Sequence, residues 1–375
     1  MIRVLVVDDS VVVRRLIVDS LGGMPDIEVV GTASNGLLAQ AKIDQLKPDV
    51  ITMDIEMPQM NGIEAVRELR KRHRMIPVIM FSTLSASGAS ATLEALSAGA
   101  TDYVTKPSNV GSVSESIAAV REQLVPKIHA LAGGRRPSAA PARPGTAPPP
   151  VKRIGLPARP PAAPPPVRRG GPQKRVDILA IGSSTGGPDA LTKVFQGLPA
   201  DLPVPIVVTQ HMPPVFTRMF AERLDRSTPL RVVEATDGME LTAGTAYIAP
   251  GDKHLVLQRR GTATLTQLSG APPENSCRPA VDVMFRSVSA LYGAAVHATV
   301  LTGMGYDGRS GAKVLRDAGA EILAQDEATS VVWGMPGAVV GANLADEVLP
   351  LDRIAAALVQ RVQVGRAPRA TAVTR

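Results

Sequence analysis

Between Gly133 and Arg175 the chain carries ten Lys and Arg residues and no Asp or Glu, and most of the remainder is Pro, Ala and Gly, in runs such as Pro148-Pro149-Pro150 and Pro164-Pro165-Pro166. Such a stretch has almost nothing with which to form a core, and its like charges repel, so it reads as a disordered, partly polyproline linker. It splits 375 residues, more than one hydrophobic core usually covers, into two blocks. The expected organisation is a first domain at residues 1–125, a linker at 126–175, a second domain at 176–363 and a disordered tail at 364–375. Taking the ten linker charges from the formal net charge of +7 leaves the rest of the chain at −3. The basic balance therefore belongs to no folded face, and no nucleic-acid partner is expected.

Cys277 is the single cysteine, which excludes an intramolecular disulfide framework and suits a reducing compartment. Residues 2–7 read as a buried strand, not as a signal segment, and no apolar run is long enough to span a bilayer. A soluble, cytoplasmic, monomeric protein without membrane insertion is expected.

Both blocks alternate short apolar strands with amphipathic helical stretches, the pattern of α/β domains built on parallel sheets. In the first, strands fit Arg3–Val7, Ile27–Thr32, Val50–Asp54, Val78–Ser82 and Asp102–Val104. Helical segments begin near Val11, Leu37, Ile63, Ala89 and Val113. A doubly wound sheet of this kind binds ligands at the carboxyl ends of its strands. The acidic residues fall there: Asp8 and Asp9 close the first strand and Asp54 the third, while Ser82 ends the fourth and Lys106 follows the fifth. Three carboxylates at one sheet edge repel and need a counterion, and an oxygen-only set suits Mg²⁺. With Mg²⁺ and the Lys106 ammonium neutralising charge, one carboxylate can act as nucleophile toward a phosphoryl group, and Ser82 can donate to the phosphoryl oxygens. Thr83 lies next to Ser82, so a slip of one residue stays open.

The pair Asp8-Asp9, the run Met53-Asp54-Ile55-Glu56-Met57-Pro58 and Lys106-Pro107 together resemble the receiver domain of two-component response regulators. The resemblance implies Asp54 as phospho-acceptor, Asp9 as a direct Mg²⁺ ligand with Asp8 behind it, and the Glu56 backbone carbonyl as a further ligand. It also implies Ser82 as switch hydroxyl, Lys106 as the phosphate-facing cation, Tyr103 as the aromatic that reports the phosphorylated state, and a sensor histidine kinase as phosphodonor. Tyr103 equally reads as a half-buried strand aromatic.

In the second block, strands fit Val176–Ile181, Ile206–Thr209, Thr245–Ile248, Leu255–Leu257, Val296–Leu301 and Glu321–Ala324, and Thr262–Leu268 suggests a hairpin partner for Leu255–Leu257. Helices fit Asp189–Gln196, Pro214–Leu224, Pro279–Leu291 and Arg309–Ala318. The first strand runs into Ile181-Gly182-Ser183-Ser184-Thr185-Gly186-Gly187-Pro188, which sets Ser184 in a Gly-x-Ser-x-Gly elbow between strand and helix. His211 follows the second strand, and Asp307 lies in the glycine-rich loop Thr302–Gly308 after another. A Ser, a His and an Asp at three strand ends can meet as nucleophile, base and orienter. Each also has a structural reading: Ser184 as a helix cap, His211 as a satisfied loop histidine, and Asp307 as the N-cap of the helix from Arg309. His254 and His297 are competing bases and read as structural. The glycines could instead cradle a phosphate or nucleotide, and a receiver could be followed by a DNA-binding domain, but neither the glycine spacing nor the placement of basic charge favours these.

The order Ser, His, Asp differs from that of the α/β-hydrolases. With Gln210–Pro213, Tyr247–His254, Arg278–Val283 and Gly334-Met335-Pro336 added, the second block resembles the catalytic domain of the bacterial chemotaxis protein-glutamate methylesterases, the CheB family. The resemblance implies Ser184 as nucleophile, His211 as general base and acid, Asp307 as its orienter, and methylated chemoreceptors as substrate, with glutamine deamidation as a second activity and no cofactor in this domain. Backbone N–H groups near Thr185 and Met304 are the candidates for an oxyanion hole. From the domain order, the unphosphorylated receiver is expected to cover the Ser184 cleft, and phosphorylation at Asp54 to release it.

Overall fold

The computed structural model describes residues 1–107, 112–132 and 174–366. In the first domain β1 (Ile2–Val7), β2 (Ile27–Ala33), β3 (Val50–Asp54), β4 (Val78–Ser82) and β5 (Asp102–Thr105) form a five-stranded parallel sheet in the order β2-β1-β3-β4-β5. Its helices are α1 (Val11–Leu21), α2 (Gly36–Leu46), α3 (Gly62–Arg72), α4 (Ala86–Ser97) and α5 (Val113–Ala132). β3 and β4 are buried along their whole length, as expected of central strands covered by helices on both faces. α3 starts at a capping box, in which Asn61 and Glu64 each accept the other's backbone N–H. Because β1 and β3 both end at the same edge, Asp8, Asp9 and Asp54 gather there.

The second domain carries β6 (Ile178–Ser183), α6 (Gly187–Gln196), β7 (Ile206–Gln210), α7 (Phe216–Ser227), β8 (Arg231–Glu234) and β9 (Thr245–Ile248). A hairpin follows, β10 (His254–Arg260) with β11 (Ala263–Ser269), then α8 (Val281–Tyr292), β12 (Val296–Val300), α9 (Arg309–Asp317) and β13 (Glu321–Gln325). It closes with α10 (Met335–Gly341), β14 (Glu347–Leu349) and α11 (Leu351–Gln363). The main sheet has seven parallel strands in the order β14-β13-β12-β6-β7-β9-β8. Its two edge strands, β8 and β14, are short and partly exposed, and the periodicity of the sequence does not single them out. The ends of β6 and β7 and the loop after β12 share one side of the sheet, which brings Ser184, His211 and Asp307 to one edge. Among the described residues no helix is long and apolar enough to cross a membrane.

Two boundaries differ from expectation. α5 runs on to Ala132, beyond residue 125 and through Pro126, because Val120, Leu124, Ile128 and Ala132 recur every fourth residue and are buried. At the other end, Val364–Arg366 are held in place, with Arg366 Nη2 donating to Val176 O (2.6 Å). Of the expected linker and tail, Lys174 and Arg175 are also described, and residues 133–173 and 367–375 lie outside the described residues.

The two domains share one apolar core cluster, in which Leu93, Leu96 and Tyr103 of the first join Leu191, Phe216 and Phe220 of the second. Tyr103 stacks on Phe216 with ring centroids 4.9 Å apart and planes 9° from parallel, and Arg223 of α7 donates to the Ser97 hydroxyl of α4. Aromatic pairs of this geometry add roughly 0.5–1.5 kcal/mol beyond the area they bury.

Candidate active site

β6 ends at Ser183, and the chain turns through Gly186, at φ +76°, into α6 with Pro188 in its first turn. Ser183 is fully buried and donates to Gln210 Oε1 (2.7 Å), while Ser184 is partly exposed. Of the two adjacent serines, Ser184 is the one that keeps exposed surface. Gln210 Nε2 donates back to Ser184 O (3.0 Å) and His211 O (3.2 Å), tying the two loops together. The glycines around Ser184 serve close packing and leave no open cradle. A Cβ on Gly182 would lie 2.4 Å from Val281 Cγ1, and one on Gly187 would meet Gln210 Oε1 at 1.9 Å.

The loop after β12 is pressed against the same elbow. Ser184 N donates to Thr302 O (3.0 Å), and a Cβ on Gly303 would stand 2.9 Å from Ser184 Cβ. Gly303, which precedes Met304, is thereby set against Ser184. Thr185 is buried, its carbonyl accepting from Thr302 Oγ1 (2.9 Å).

His211 and Asp307 are paired, with His211 Nε2 2.7 Å from Asp307 Oδ2. The same carboxylate accepts N–H groups from Val281 (2.6 Å) and Asp282 (3.0 Å), so it caps α8 rather than the helix that follows it in sequence, and it also accepts from Asn275 Nδ2 (2.9 Å) and Gly308 N (2.9 Å). Burial would raise the Asp307 carboxyl, but His211 and these N–H groups hold it below its usual range. On His211, burial opposes the charge and is the largest single influence, but Asp307 and Cys277 together outweigh it and raise the imidazole from its ordinary 6.5 to about 10. The other face of the ring, Nδ1, lies 3.5 Å from Cys277 Sγ. His254 is buried between Ala280 N and Pro272 O, and His297 is buried and pushed down to about 4 by that burial, so both are structural.

The first domain covers this site. Leu96, Asp102, Tyr103 and Lys127 line a cleft with Ser184, Thr185 and His211, and its volume is about 30 Å³. That is room for a few water molecules at most, far less than a protein side chain with its backbone requires. Thr185 Oγ1 donates to Asp102 Oδ2 (2.7 Å), which Lys127 Nζ also contacts (2.6 Å).

At the carboxyl edge of the first sheet, oxygens of Asp8, Asp9 and Asp54 lie within 4.8 Å of one another. Lys106 Nζ sits 2.7 Å from Asp54 Oδ1 and 3.5 Å from Asp8 Oδ2. Asp8 Oδ2 is buried with no hydrogen-bond partner. Burial and the Asp54 charge push Asp8 up to about 6, and burial raises Asp54 as well. An orphaned carboxylate oxygen beside two more acids is what a cation-binding set looks like before its ion is counted. Glu56 lines the same cavity as Asp9, Asp54, Ser82 and Lys106. Ser82 Oγ, however, is turned away from Asp54: it donates to Thr83 O and Gly88 O (both 3.2 Å) and accepts from Thr92 Oγ1 (2.6 Å). Thr83, the alternative to Ser82, is exposed.

Residues 4–118 match the family model of the response regulator receiver domain, and residues 179–358 match that of the CheB methylesterase. A protein-glutamate methylesterase/protein-glutamine glutaminase of Nocardioides sp. (strain ATCC BAA-499 / JS614) is 54% identical over 361 residues, covering 96% of this chain and 95% of that protein. The chain belongs to the CheB methylesterase family. A protein-glutamate methylesterase/protein-glutamine glutaminase of Trichodesmium erythraeum (strain IMS101) is 45% identical, covering 96% of this chain and 99% of its own length. The crystal structure of the Thermotoga maritima CheB methylesterase catalytic domain is 43% identical and covers 50% of this chain and 99% of that one, with a TM-score of 0.49.

In this CheB-family chain the sequence missed the residues that act across loops. Asp102 meets Thr185, and Phe216 meets Tyr103, only when the domains dock. Asn275, at φ +53°, and Asp282 reach Asp307 only through the fold. The one signal available in advance was the polar, turn-forming stretch Pro272–Cys277 ahead of a Pro-initiated helix.

Proposed function

We propose that the chain is a phosphorylation-controlled protein-glutamate methylesterase that also deamidates glutamines, acting in the cytoplasm on membrane-bound chemoreceptors during adaptation. The observation that carries the reading is the His211–Asp307 pair, whose histidine lines one cleft with the serine of a strand-to-helix elbow. Asp307 holds the Nε2 N–H, so the Nδ1 lone pair is the base. It takes the Ser184 proton as the hydroxyl attacks the side-chain ester carbonyl of a methylated glutamate. Base catalysis of this kind contributes about 10²–10⁴ in rate. The Thr185 and Met304 backbone N–H groups receive the charge on the carbonyl oxygen, each such donor being worth roughly 10²–10³. The imidazolium returns its proton to the departing methanol, or to ammonia when the substrate is glutamine. A water then repeats the sequence on the acyl-enzyme and frees the carboxylate and Ser184.

In the receiver, Asp54 is the phospho-acceptor, fed by a sensor histidine kinase. Asp8, Asp9, Asp54 and the Glu56 carbonyl would hold Mg²⁺, which when bound neutralises the charge of the incoming phosphoryl group; the orphaned Asp8 Oδ2 supports that fit. Lys106 orients the phosphoryl oxygens. Ser82 must leave Gly88 and Thr92 to reach them, and that pull on β4 and α4 loosens the interface where Leu96 and Tyr103 pack on the esterase domain. The test of the esterase reading is methanol release from methylated receptor membranes. It is expected from the wild type and lost with Ser184→Ala; release that persists in Ser184→Ala overturns the reading.

A further inference from the structure

Cys277 has no role in the reaction above, yet it stands against the catalytic base. His211, Cys277 and Asp307 each present a ligand atom, and these atoms lie within 4.8 Å of one another. Cys277 Sγ lies 3.5 Å from His211 Nδ1, an ordinary hydrogen-bond distance for sulfur. The same separation suits a tetrahedral Zn²⁺ without movement of either residue: bonds of about 2.3 Å to thiolate sulfur and 2.0–2.1 Å to imidazole nitrogen place the two atoms about 3.5 Å apart. A second observation points the same way. His211 gives its other nitrogen, Nε2, to the Asp307 carboxylate at 2.7 Å, the partner that metal-bound histidines almost always have, because it fixes the tautomer and makes the free nitrogen a better donor. Asp307 is itself held by backbone N–H groups of α8, so the ring is oriented before any ion arrives.

We propose that His211 Nδ1 and Cys277 Sγ form an inhibitory site for a soft divalent cation of the Zn²⁺ class. The inference rests on the esterase reading for its consequence, since an ion on Nδ1 occupies the lone pair that takes the Ser184 proton. On binding, the Cys277 thiol gives its proton to solvent and the thiolate bonds the ion, with waters or the Ser184 hydroxyl completing the shell. Two protein ligands make the binding reversible, and it weakens as pH falls and the ligands are protonated. The oxygen site of the receiver does not compete for the same reason that it takes Mg²⁺: it has no nitrogen or sulfur donor.

Co²⁺ serves as the probe, added to the full chain in saturating Mg²⁺. A thiolate-to-cobalt absorption band saturating at one ion per chain is expected, displaced by Zn²⁺ and absent from both Cys277→Ser and His211→Gln. In parallel, methanol release is titrated with Zn²⁺, each protein measured against its own zinc-free rate. Cys277→Ser is expected to need at least about 10-fold more Zn²⁺ for half-inhibition, the smallest loss typical of disturbing a metal site. A wild type without the band, a band that survives in Cys277→Ser, or equal zinc sensitivity in the two proteins overturns the inference. A wild type that releases no methanol in the absence of zinc overturns the esterase reading instead, and the cobalt spectrum still decides the site.

Discussion

Thr185 Oγ1 donates a 2.7 Å hydrogen bond to Asp102 Oδ2, so the residue after the candidate nucleophile is tied to a β5 carboxylate of the other domain. Both groups are buried, and Lys127 closes on the same carboxylate. The bond fastens the receiver where a substrate would enter and holds the elbow that carries Ser184. Hydrogen bonds to a charged group contribute about 1.5–3 kcal/mol, enough to shift a two-state balance roughly tenfold to a hundredfold. Replacing Asp102 with Asn keeps the shape and weakens the bond. Unphosphorylated Asp102→Asn is expected to release methanol several-fold faster than unphosphorylated wild type. An unchanged basal rate would remove this contact from the account of closure.

The His211–Asp307 pair sets the pH dependence. The imidazole is raised above 6.5, chiefly by its bond to Asp307 working against burial, and only its neutral form is a base. The esterase rate is therefore expected to climb with pH through and beyond 6.5, the ordinary midpoint. Asp307→Asn removes the largest raising influence and leaves that of Cys277, so its midpoint moves down while its rate falls by about 10³–10⁴ through loss of the right tautomer. A wild-type rate that is flat above pH 6.5 contradicts the pairing. In stability terms the signs are opposite for the two partners. The raised His211 contributes fully below 6.5 and its contribution is lost as pH rises through its folded value, whereas the lowered Asp307 contributes above 3.8 and is lost on acidification.

Asn275 Nδ2 bridges Asp307 Oδ1 and Asp282 Oδ2, both at 2.9 Å. Asn275→Ala leaves two buried acids facing each other without the donor between them. Thermal unfolding is expected to report a loss of about 1–3 kcal/mol, the cost of an unsatisfied buried polar group, and the esterase midpoint pH should move as Asp307 reorients. A stable variant with an unshifted midpoint would make Asn275 irrelevant to the base.

Asp8 is pushed up to about 6 by burial and by Asp54. A raised carboxyl costs stability when charged: nothing below 3.8, where it is protonated folded or unfolded, and the full amount above about 6. Without Mg²⁺ at pH 7, Asp8→Asn is expected to melt a few degrees higher than wild type, on the scale that 1 kcal/mol moves domains of this size. Adding Mg²⁺ should stabilise the wild type and leave Asp8→Asn nearly unmoved. Equal Mg²⁺ responses in the two would place the cation elsewhere.

The strand ends were legible in the sequence because buried parallel strands read as short apolar runs. Polar residues following them stand out, which is why Asp54, His211 and Asp307 could be singled out before any coordinates. The Gly-x-Ser-x-Gly spacing already prefers Ser184 to Ser183, and the burial of Ser183 at the end of β6 points the same way. The cap that Asp307 places on α8 was illegible: a carboxylate just before one helix capped another, distant in sequence. α5 outran its expected end because a four-residue apolar repeat outweighed one internal proline. Ser82 sits where the strand pattern put it, yet its hydroxyl faces α4, a choice between neighbours that no periodicity encodes.

The most direct test of the whole account is methanol release from methylated receptor membranes by the full chain, with and without a small phosphodonor in Mg²⁺, for wild type and Asp54→Asn. A wild-type rate that rises with phosphodonor, against an Asp54→Asn rate that stays at the closed, basal level in both conditions, is the predicted result. A wild type as fast without phosphodonor as with it would contradict the claim that the receiver closes the Ser184 cleft and that phosphorylation opens it.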